Sequence, residues 1–416
     1  MLLPLTFVAA ILVGMLLLLL PGMSRGAVGP LEAFFTSVSA VCVTGLSVVD
    51  TGTEFTRAGQ VVIVVLIQAG GLGIMTFSVL VLLVAGRRVA LDQEAQVRET
   101  FSPVAGWEVG KLLGLVFLST LVIELAGFLA LWHTMGDAWC AAFHAVSAFC
   151  NAGFSLMPDS LQRASPGTVM TVLWLLVLGG LGFTTILELV RALAPRGGNA
   201  RRFSLHSRIV LRGSLLLWGL GTLLLALAMG GDFRNAVFLS ASARTAGFDT
   251  VPIGGLSGAA LLILIPLMYV GASPGGTGGG IKTTTLGIAL ALVRTILRGR
   301  DQVVLEGREV PRDALRRMFA VIACSGTVVF AAIFLLDLFE GDRPGRLLDL
   351  AFEAVSAFGT VGFSTGVTPT LQPASKLLLC AVMFVGRVGS LSLFLLLVRE
   401  APVSRVRYPE ERVLIG

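Results

Sequence analysis

Four short stretches of the chain share one pattern that ends in glycine. Each begins with Phe, reaches Ser-Ala four residues later, and closes on a Gly followed by Leu or Phe. The copies read F-T-S-V-S-A-V-C-V-T-G-L from Phe35, F-H-A-V-S-A-F-C-N-A-G-F from Phe143, F-L-S-A-S-A-R-T-A-G-F from Phe238 and F-E-A-V-S-A-F-G-T-V-G-F from Phe352. Glycine lets backbone approach a shared axis closely and adopt left-handed φ. We therefore predict four equivalent loops that present main-chain groups to one axis.

Carbonyl oxygens presented in this way can replace the water around a desolvated monovalent cation such as potassium. We expect the ion ligands to come from the glycine and the two residues before it in each copy. These are Val43, Thr44, Gly45, Asn151, Ala152, Gly153, Thr245, Ala246, Gly247, Thr360, Val361 and Gly362. Four tight turns without any ligand role are the alternative, which the repetition of the whole pattern disfavours.

The elements that must position these loops are apolar segments long enough for a membrane. Mean hydropathy is +0.89 and only 13% of residues are charged, about half the usual share in soluble domains. Runs of about 20 apolar residues are what a bilayer core requires of a helix. We read eight, in four pairs: Leu2–Leu20, Val61–Ala85, Leu112–Trp132, Val169–Ala194, Ile209–Met229, Leu261–Leu297 with an interruption, Met318–Phe339 and Leu377–Val398. A cleaved signal peptide is the less favoured interpretation of the first run, which lacks a basic start.

Each pair predicts one unit: an outward helix, a short half-helix, the glycine loop and a return helix. Irregular backbone at membrane depth is tolerated only inside protein or beside water, so the four loops should converge. The half-helices are expected at Thr36–Val41, His144–Cys150, Leu239–Ala243 and Glu353–Gly359, with their C-terminal dipole ends favouring a cation. The units are predicted at 1–86, 105–195, 207–300 and 312–400, with a tail at 401–416.

Most of the 31 Lys and Arg lie in the connections between units and in the tail. By the positive-inside rule these connections and both termini face the cytoplasm of a multi-pass protein in the cell membrane. This clustering argues against nucleic acid as the partner of a chain of net charge +6. The stretches 196–212 and 294–317 could instead contact a cytosolic protein or anionic lipid headgroups.

The third return segment contains G-A-S-P-G-G-T-G-G-G-I-K from Gly271 to Lys282. So many glycines with a proline cannot continue a helix, so we predict two helices with a polar loop between them. A phosphate-binding Walker loop is disfavoured because Ile281 separates the last glycine from the lysine. Small residues suit a gate, since they let backbone block a narrow path and move aside.

These motifs resemble those of the Trk/Ktr/HKT family of potassium transport proteins over essentially the whole chain. C-V-T-G-L, F-C-N-A-G-F, R-T-A-G-F-D-T and T-V-G-F-S-T-G are similar to its four pore loops, and the segment from Gly271 is similar to its intramembrane gate loop. The resemblance, closest to the Ktr membrane subunit, implies a homodimer and a cytosolic nucleotide-binding regulatory ring. In that family glycine in the first loop accompanies potassium selectivity, so Gly45 favours potassium over sodium.

The resemblance also implies which residues form the gate. Arg387 lies within the last apolar run and matches an arginine below the filter that contacts the gate loop; a tie to helix-end carbonyls is the alternative role. The expected gate residues are Gly271, Ser273, Pro274, Gly275, Gly276, Thr277, Gly278, Gly279, Gly280, Lys282 and Arg387.

Four other polar residues are candidates for a functional role. Glu124 lies within an apolar run, where a coupling-ion or proton site competes with a simple pairing to a polar neighbour. For His144 and Glu353, hydrogen-bonded packing is favoured over ion contact. Asp249 follows the third glycine and could concentrate cations at the mouth, or be a solvated charge.

We therefore expect an all-α membrane protein with four pseudo-repeated units around a central pore, taking up potassium without covalent chemistry or a cofactor. A sodium- or proton-coupled symporter with weaker potassium selectivity, with sodium as co-ion, is the alternative. The dispersed His133, His144 and His206 argue against a membrane enzyme with a metal site. The five cysteines show no metal or disulfide spacing and are expected to act as small buried hydrophobes.

Overall fold

The computed structural model describes residues 2–26, 28–73, 109–193, 203–341 and 346–389. The predicted tail 401–416, and the ends of the apolar runs beyond Gly73 and Gly389, lie outside the described residues. Almost all of the described secondary structure is helical. The helices are α1 (Leu2–Leu18), α2 (Pro30–Val41), α3 (Thr51–Glu54), α4 (Arg57–Gly71), α5 (Val109–Met135), α6 (Ala138–Phe149), α7 (Pro166–Leu181), α8 (Phe183–Leu193), α9 (Leu205–Ala228), α10 (Phe233–Ser242), α11 (Gly258–Tyr269), α12 (Thr283–Leu297), α13 (Arg312–Glu340), α14 (Arg346–Gly359) and α15 (Pro373–Val388).

Two strands, β1 (Val304–Leu305) and β2 (Arg308–Glu309), pair as a small antiparallel hairpin after α12. Glu306 and Gly307 form its two-residue turn, both with positive φ, at 53° and 78°. A two-residue turn with left-handed residues matches the twist of the flanking strands. This hairpin is an addition to the all-helical architecture expected from the sequence.

Three of the described helices, α5, α9 and α13, are long and apolar enough to cross a membrane. The bent pair α7 and α8 makes a fourth candidate span. Their outward faces carry exposed large side chains, including Leu125 at 54%, Leu220 at 51% and Phe330 at 73% exposure. Such apolar surface is expected of helices that contact lipid. The eight spanning segments that the sequence predicts stay a prediction, since α1, α4, α11 and α12 are shorter apolar helices.

Each glycine loop follows one of four short helices, α2, α6, α10 and α14. These helices are longer than the predicted half-helices, because they begin at residues that favour a helix start. Pro30 occupies the first turn of α2, and the Asp137 and Asp232 carboxylates accept hydrogen bonds from the first-turn N–H groups of α6 and α10. The opening Phe of each repeat is buried to 2% exposure or less and packs in the core: Phe35, Phe143, Phe238 and Phe352.

The four units close into a ring through their helices. Within each unit the short helix packs against the outward helix: α2 on α1, α6 on α5, α10 on α9 and α14 on α13. Between units the return helix packs on the short helix of the next unit: α4 on α6, α7 on α10, α11 on α14 and α15 on α2. The last contact returns to the first unit, so the short helices surround one axis.

The second return segment differs from the prediction. The run Val169–Ala194 was expected to form one helix, but α7 and α8 meet at an angle of 106° around Gly182. Gly182 has φ of 85°, which a glycine adopts without strain. Its position is also crowded, because a Cβ there would lie 2.6 Å from the Pro274 carbonyl oxygen. The loop after α11 therefore packs directly against the bend, and its Gly275 carbonyl oxygen accepts a hydrogen bond of 3.1 Å from the Phe183 N–H.

Candidate functional site

The four repeat glycines lie next to one another, each against the following loop. A Cβ on Gly153 would lie 2.9 Å from the Ala246 carbonyl oxygen and 3.2 Å from the Gly247 α-carbon. The same close contact repeats around the ring. A Cβ on Gly45 would meet Ala152 and Gly153, one on Gly247 would meet Val361 and Gly362, and one on Gly362 would meet Thr44 and Gly45. The structure thus brings the four glycines and the residue before each of them together in one ring. The remaining four predicted residues, Val43, Asn151, Thr245 and Thr360, precede these pairs in the same loops. The ring leaves no room for a side chain at any of the four glycines.

The four loops share one backbone conformation. In each, the residue two before the glycine has positive φ: 57° at Val43, 57° at Asn151, 79° at Thr245 and 49° at Thr360. The glycines follow with φ of 88°, 67°, 74° and 98° at Gly45, Gly153, Gly247 and Gly362. Left-handed φ is rare for β-branched residues, and backbone strain of this kind clusters at functional sites.

The Ser of each Ser-Ala pair ties its short helix to its own loop, which explains that part of the pattern. Ser39 and Ser356 accept hydrogen bonds of 3.1 Å from the N–H groups of Gly45 and Gly362. Ser147 and Ser242 instead donate to carbonyl oxygens of the residues after the glycines, Phe154 at 2.7 Å and Phe248 at 2.6 Å. All four serines are fully buried, so their hydroxyls fix the loops from behind.

The main-chain N–H groups of the loops point back to the short helices. The residue before each glycine donates to the carbonyl oxygen of the repeat serine, at 2.7–2.9 Å: Thr44 to Ser39, Ala152 to Ser147, Ala246 to Ser242 and Val361 to Ser356. Within the described residues, no group donates a hydrogen bond to the carbonyl oxygens of Thr44, Ala152, Ala246 or Val361. These oxygens lie against the glycines of the neighbouring loops.

The segment Gly271–Lys282 connects α11 to α12 and lies against the loop ring. Its start is held to its end, since the Gly271 N–H donates to the Ile281 carbonyl oxygen at 2.9 Å. On one side Ser273 N–H donates to the Gly180 carbonyl at the end of α7, at 3.1 Å. On the other, Gly279 N–H donates to the Thr360 hydroxyl of the fourth loop, at 2.9 Å. The segment therefore bridges the second and fourth units directly beside the ring.

Arg387 makes both of the predicted contacts, one with the glycine-rich segment and one with a carbonyl oxygen at a helix end. One guanidinium nitrogen donates to the Thr277 carbonyl oxygen of the segment, and another donates to the Gly70 carbonyl oxygen at the end of α4. Lys282 is also close, and its ammonium donates to the Gly278 carbonyl oxygen at 2.7 Å. Two cationic side chains thus hold carbonyl oxygens of one glycine-rich segment.

His144 and Glu353 occupy equivalent positions of α6 and α14 and are hydrogen-bonded behind the loops. The His144 ring contacts the Cys140 carbonyl oxygen at 2.8 Å and the Ser155 hydroxyl at 3.0 Å. The Glu353 carboxylate accepts from the Ser364 and Thr368 hydroxyls, each at 2.6 Å. These contacts confirm the favoured interpretation of hydrogen-bonded packing.

Glu124 also has polar neighbours. Its carboxylate accepts a hydrogen bond from the Gln68 amide at 3.3 Å and contacts the Cys150 sulfur at 3.9 Å. Cys150 ends α6 directly before the second loop, so Glu124 lies behind that loop. The pairing with a polar neighbour is present; a coupling-ion role is a separate hypothesis.

Asp249 lies two residues after the third glycine, outside the helices, and is half-buried. Its carboxylate accepts a hydrogen bond from the Gln162 amide at 3.3 Å. Burial raises the pKa of Asp249 to about 6, and the charge of Asp159 adds to the shift, while the bonds from Gln162 and Ser160 oppose it. The carboxyl group can therefore change its charge close to neutral pH.

The described residues contain no group of three His, Cys, Asp or Glu side chains placed to hold a metal ion. All five cysteines are free, and Cys42, Cys150 and Cys380 are buried.

Comparison with known proteins identifies the family. A family model described as cation transport protein, TrkH, matches residues 8–406. Two proteins named Ktr system potassium uptake protein B are similar: that of Bacillus subtilis is 35% identical, covering 99% of this chain and 95% of the relative, and that of Vibrio alginolyticus is 37% identical, covering 99% and 94%. The potassium/sodium uptake protein NtpJ of Enterococcus hirae is 33% identical, covering 99% and 95%.

The fold matches a solved structure as well. The crystal structure of the potassium transporter TrkH from Vibrio parahaemolyticus superposes with a TM-score of 0.76 at 19% identity, covering 95% of this chain and 83% of that one. The resemblance stated from the four loops is thereby confirmed. The chain belongs to the TrkH family of cation transport proteins and is a transport protein rather than an enzyme.

Proposed function

We propose that the chain takes up potassium across the cell membrane through the ring formed by its four glycine loops. The observation that carries the proposal is the cyclic contact in which each glycine faces a carbonyl oxygen of the next loop. Because the loop N–H groups are bonded to the short helices, the carbonyl oxygens are left to replace the hydration shell of the ion. The relatives named as potassium uptake proteins support potassium as the ion.

The twelve loop residues named above act in this proposal as a selectivity filter. Residues of left-handed φ alternate with ordinary ones in each loop, which can direct successive carbonyl groups to the same side. The serine hydroxyls keep the loops from collapsing or widening as the ion passes. A fixed ring of carbonyl oxygens favours the ion whose size and hydration energy match the size of the ring and the field strength of its carbonyl dipoles.

The segment Gly271–Lys282, with Arg387, acts in this proposal as the gate. Its bonds to Gly180, Thr360 and Arg387 hold it beside the ring. The Arg387 guanidinium also adds positive charge to the path of a cation, which raises the barrier to passage. Opening would require these bonds to exchange for water or other partners.

Two further parts of the proposal rest on the family resemblance and the charge pattern. The chain is proposed to form a homodimer regulated by a cytosolic nucleotide-binding subunit. The basic connections and both termini are placed in the cytoplasm by the positive-inside rule. The glycine ring then opens toward the outside, in the direction of uptake.

A sodium-coupled mechanism is the second candidate, because one relative is named a potassium/sodium uptake protein. Glu124, behind the second loop, is the acidic residue best placed for a second ion. Coupling requires that potassium uptake depend on a sodium gradient, whereas a simple pore does not.

The test is cation flux into liposomes that contain the purified protein. Potassium and rubidium are expected to enter faster than sodium, with or without a sodium gradient. Gly45→Ser is expected to lower the preference for potassium, because its side chain would meet the Ala152 carbonyl oxygen and distort the ring. Equal entry of potassium and sodium in the unmodified protein would contradict the proposal, and strict dependence on sodium would favour coupling.

Asp249 is expected to make uptake sensitive to pH at the outer mouth. With its pKa raised to about 6, the carboxylate is charged at pH 7.5 and becomes neutral as the pH falls through 6 to 5. Its attraction for incoming cations is then lost, so uptake at low potassium should fall severalfold over this range. Uptake by Asp249→Asn should be low throughout and independent of pH over the same range. A pH profile that is identical in the variant and the unmodified protein would rule out this role.

A further inference from the structure

A groove of about 490 Å³ lies between α9, α12 and the β1–β2 hairpin. One end is lined by Thr283 and Leu286 at the start of α12, and the other by arginines at the end of the same helix. α12 has 15 residues, so the groove follows about 22 Å of helix. Its size is within the range of ligand-binding pockets.

The two ends of the groove differ in chemistry. The middle is apolar, and its side chains Leu216 and Leu290 are 60% and 53% exposed on the outward faces of α9 and α12. The far end carries four arginines: Arg212, Arg294, Arg298 and Arg300. The groove therefore suits a long amphiphile with a negatively charged head.

The positive charge at that end is only partly neutralised. Glu306, at the hairpin turn, pairs with Arg212 and lies 3.8 Å from Arg208. It is the single acidic residue among those that line the groove. Within the described residues, Arg294, Arg298 and Arg300 form no ion pair with a carboxylate, and all three are exposed. The cluster is therefore open to an anion from outside the chain.

We propose that the groove binds an anionic phospholipid, with its phosphate at Arg294, Arg298 and Arg300 and an acyl chain along α9 and α12. Basic pockets between membrane helices bind such headgroups, and the basic connections lie at the same end of the helices. A soluble anion would use the arginines but leave the apolar length of the groove unexplained. A lipid uses both.

The site is connected to the glycine-rich segment. Thr283 lines the end of the groove at the start of α12, opposite the arginines. Its hydroxyl donates to the buried Ser273 hydroxyl of the segment at 3.2 Å. A lipid that packs α12 against α9 stabilises the arrangement of the segment seen here, because a ligand favours the state that it binds. The lipid is thus a ligand that stabilises this conformation of the segment, and it differs from the bulk lipid around the protein.

The test compares lipid retention by the purified full chain. The protein is delipidated, incubated with vesicles of equal parts phosphatidylglycerol and phosphatidylcholine, and the retained lipid is counted by native mass spectrometry. The unmodified protein should retain phosphatidylglycerol. The triple variant Arg294→Gln, Arg298→Gln, Arg300→Gln should retain at most about one tenth as much. The matched control Arg312→Gln, Arg316→Gln, Arg317→Gln removes the same charge from exposed positions on α13 and should retain it fully.

A second pair of variants leaves every arginine in place. Gly213 lines the groove, and a Cβ there would meet nothing within 4 Å, so Gly213→Leu fills the space without a backbone clash. Gly219, on the same helix but outside the groove, is equally open and gives the control Gly219→Leu. Retention should be lost in the first and kept in the second.

Three outcomes would overturn the proposal. The first is equal retention by the groove variants and their controls. The second is displacement of the lipid by inorganic phosphate alone, which would indicate a simple anion site. The third is that the arginine variant keeps the lipid but loses binding of a cytosolic regulatory subunit, which would assign the cluster to a protein partner.

Discussion

Gly247→Ala is expected to reduce potassium flux about tenfold or more while the protein still reaches the membrane. The new Cβ would overlap the Val361 carbonyl oxygen and lie 3.2 Å from the Gly362 α-carbon. Either the carbonyl turns away or the third and fourth loops separate, and both outcomes remove a ligand. A loss of 1.4 kcal/mol in ion stabilisation already corresponds to a factor of ten.

The substitution also strains the backbone, and a control must separate this effect. Gly247 has φ of 74°, where alanine costs about 1–2 kcal/mol. Gly366 has φ of 93° just beyond the fourth loop, but a Cβ there would meet nothing within 4 Å. Gly366→Ala carries a similar strain without contact to another loop and should retain most of the flux. An equal loss in both variants would show that only folding is being measured.

Arg387→Gln is expected to raise cation flux about tenfold or more. The substitution removes two charge-assisted hydrogen bonds, to Thr277 and Gly70, each of which contributes about 1.5–3 kcal/mol. It also removes a positive charge beside the ion path. Both changes favour passage of the cation. Deletion of Ser273–Gly279 should also raise flux, because it removes the segment that these hydrogen bonds hold in place. Flux of potassium or rubidium into liposomes measures the change.

Arg387→Lys distinguishes the two effects of the arginine. Lysine keeps the charge at the same depth, but a single ammonium cannot reach both carbonyl oxygens with the geometry of the guanidinium. If the hydrogen bonds hold the segment in place, Arg387→Lys should raise flux nearly as much as Arg387→Gln. If the charge is the main barrier, flux should stay low. Unchanged flux in Arg387→Gln and in the folded deletion variant would rule out the gate.

Much of the fold and of the candidate site could be predicted because the information is local and repeated. The opening Phe, the Ser-Ala pair and the closing Gly each have a structural reason that is visible in one copy and confirmed by the other three. The break of the third return segment follows from its glycines and Pro274. Residues 270–282 contain no helix in the structure.

The parts that were missed depend on contacts between units. The glycines at 179, 180 and 182 are a local signal for the bend at Gly182, but its contact with Pro274 comes from the next unit and is not visible in the sequence of α7. The order in which each loop touches the next is likewise a tertiary property. The hairpin turn at Glu306 and Gly307 left a weak local signal, a polar residue followed by glycine, with Val304-Leu305 before it and Arg308-Glu309 after it.

The partners of Glu124 and Arg387 are a second feature that the local sequence does not contain. A charged residue within an apolar run indicates a partner but does not identify it. Gln68, 56 residues before Glu124, and Gly70, 317 residues before Arg387, became identifiable only in the folded chain. In both cases the partner is in α4, the return helix of the first unit.

The central claim is that the four loops bind one cation with their carbonyl oxygens, and anomalous diffraction from crystals grown in rubidium tests it most directly. We predict an anomalous peak on the axis of the ring, within ligand distance of the carbonyl oxygens of Thr44, Ala152, Ala246 and Val361. A well-diffracting rubidium crystal with no peak inside the ring, and peaks only elsewhere on the protein, would contradict the account.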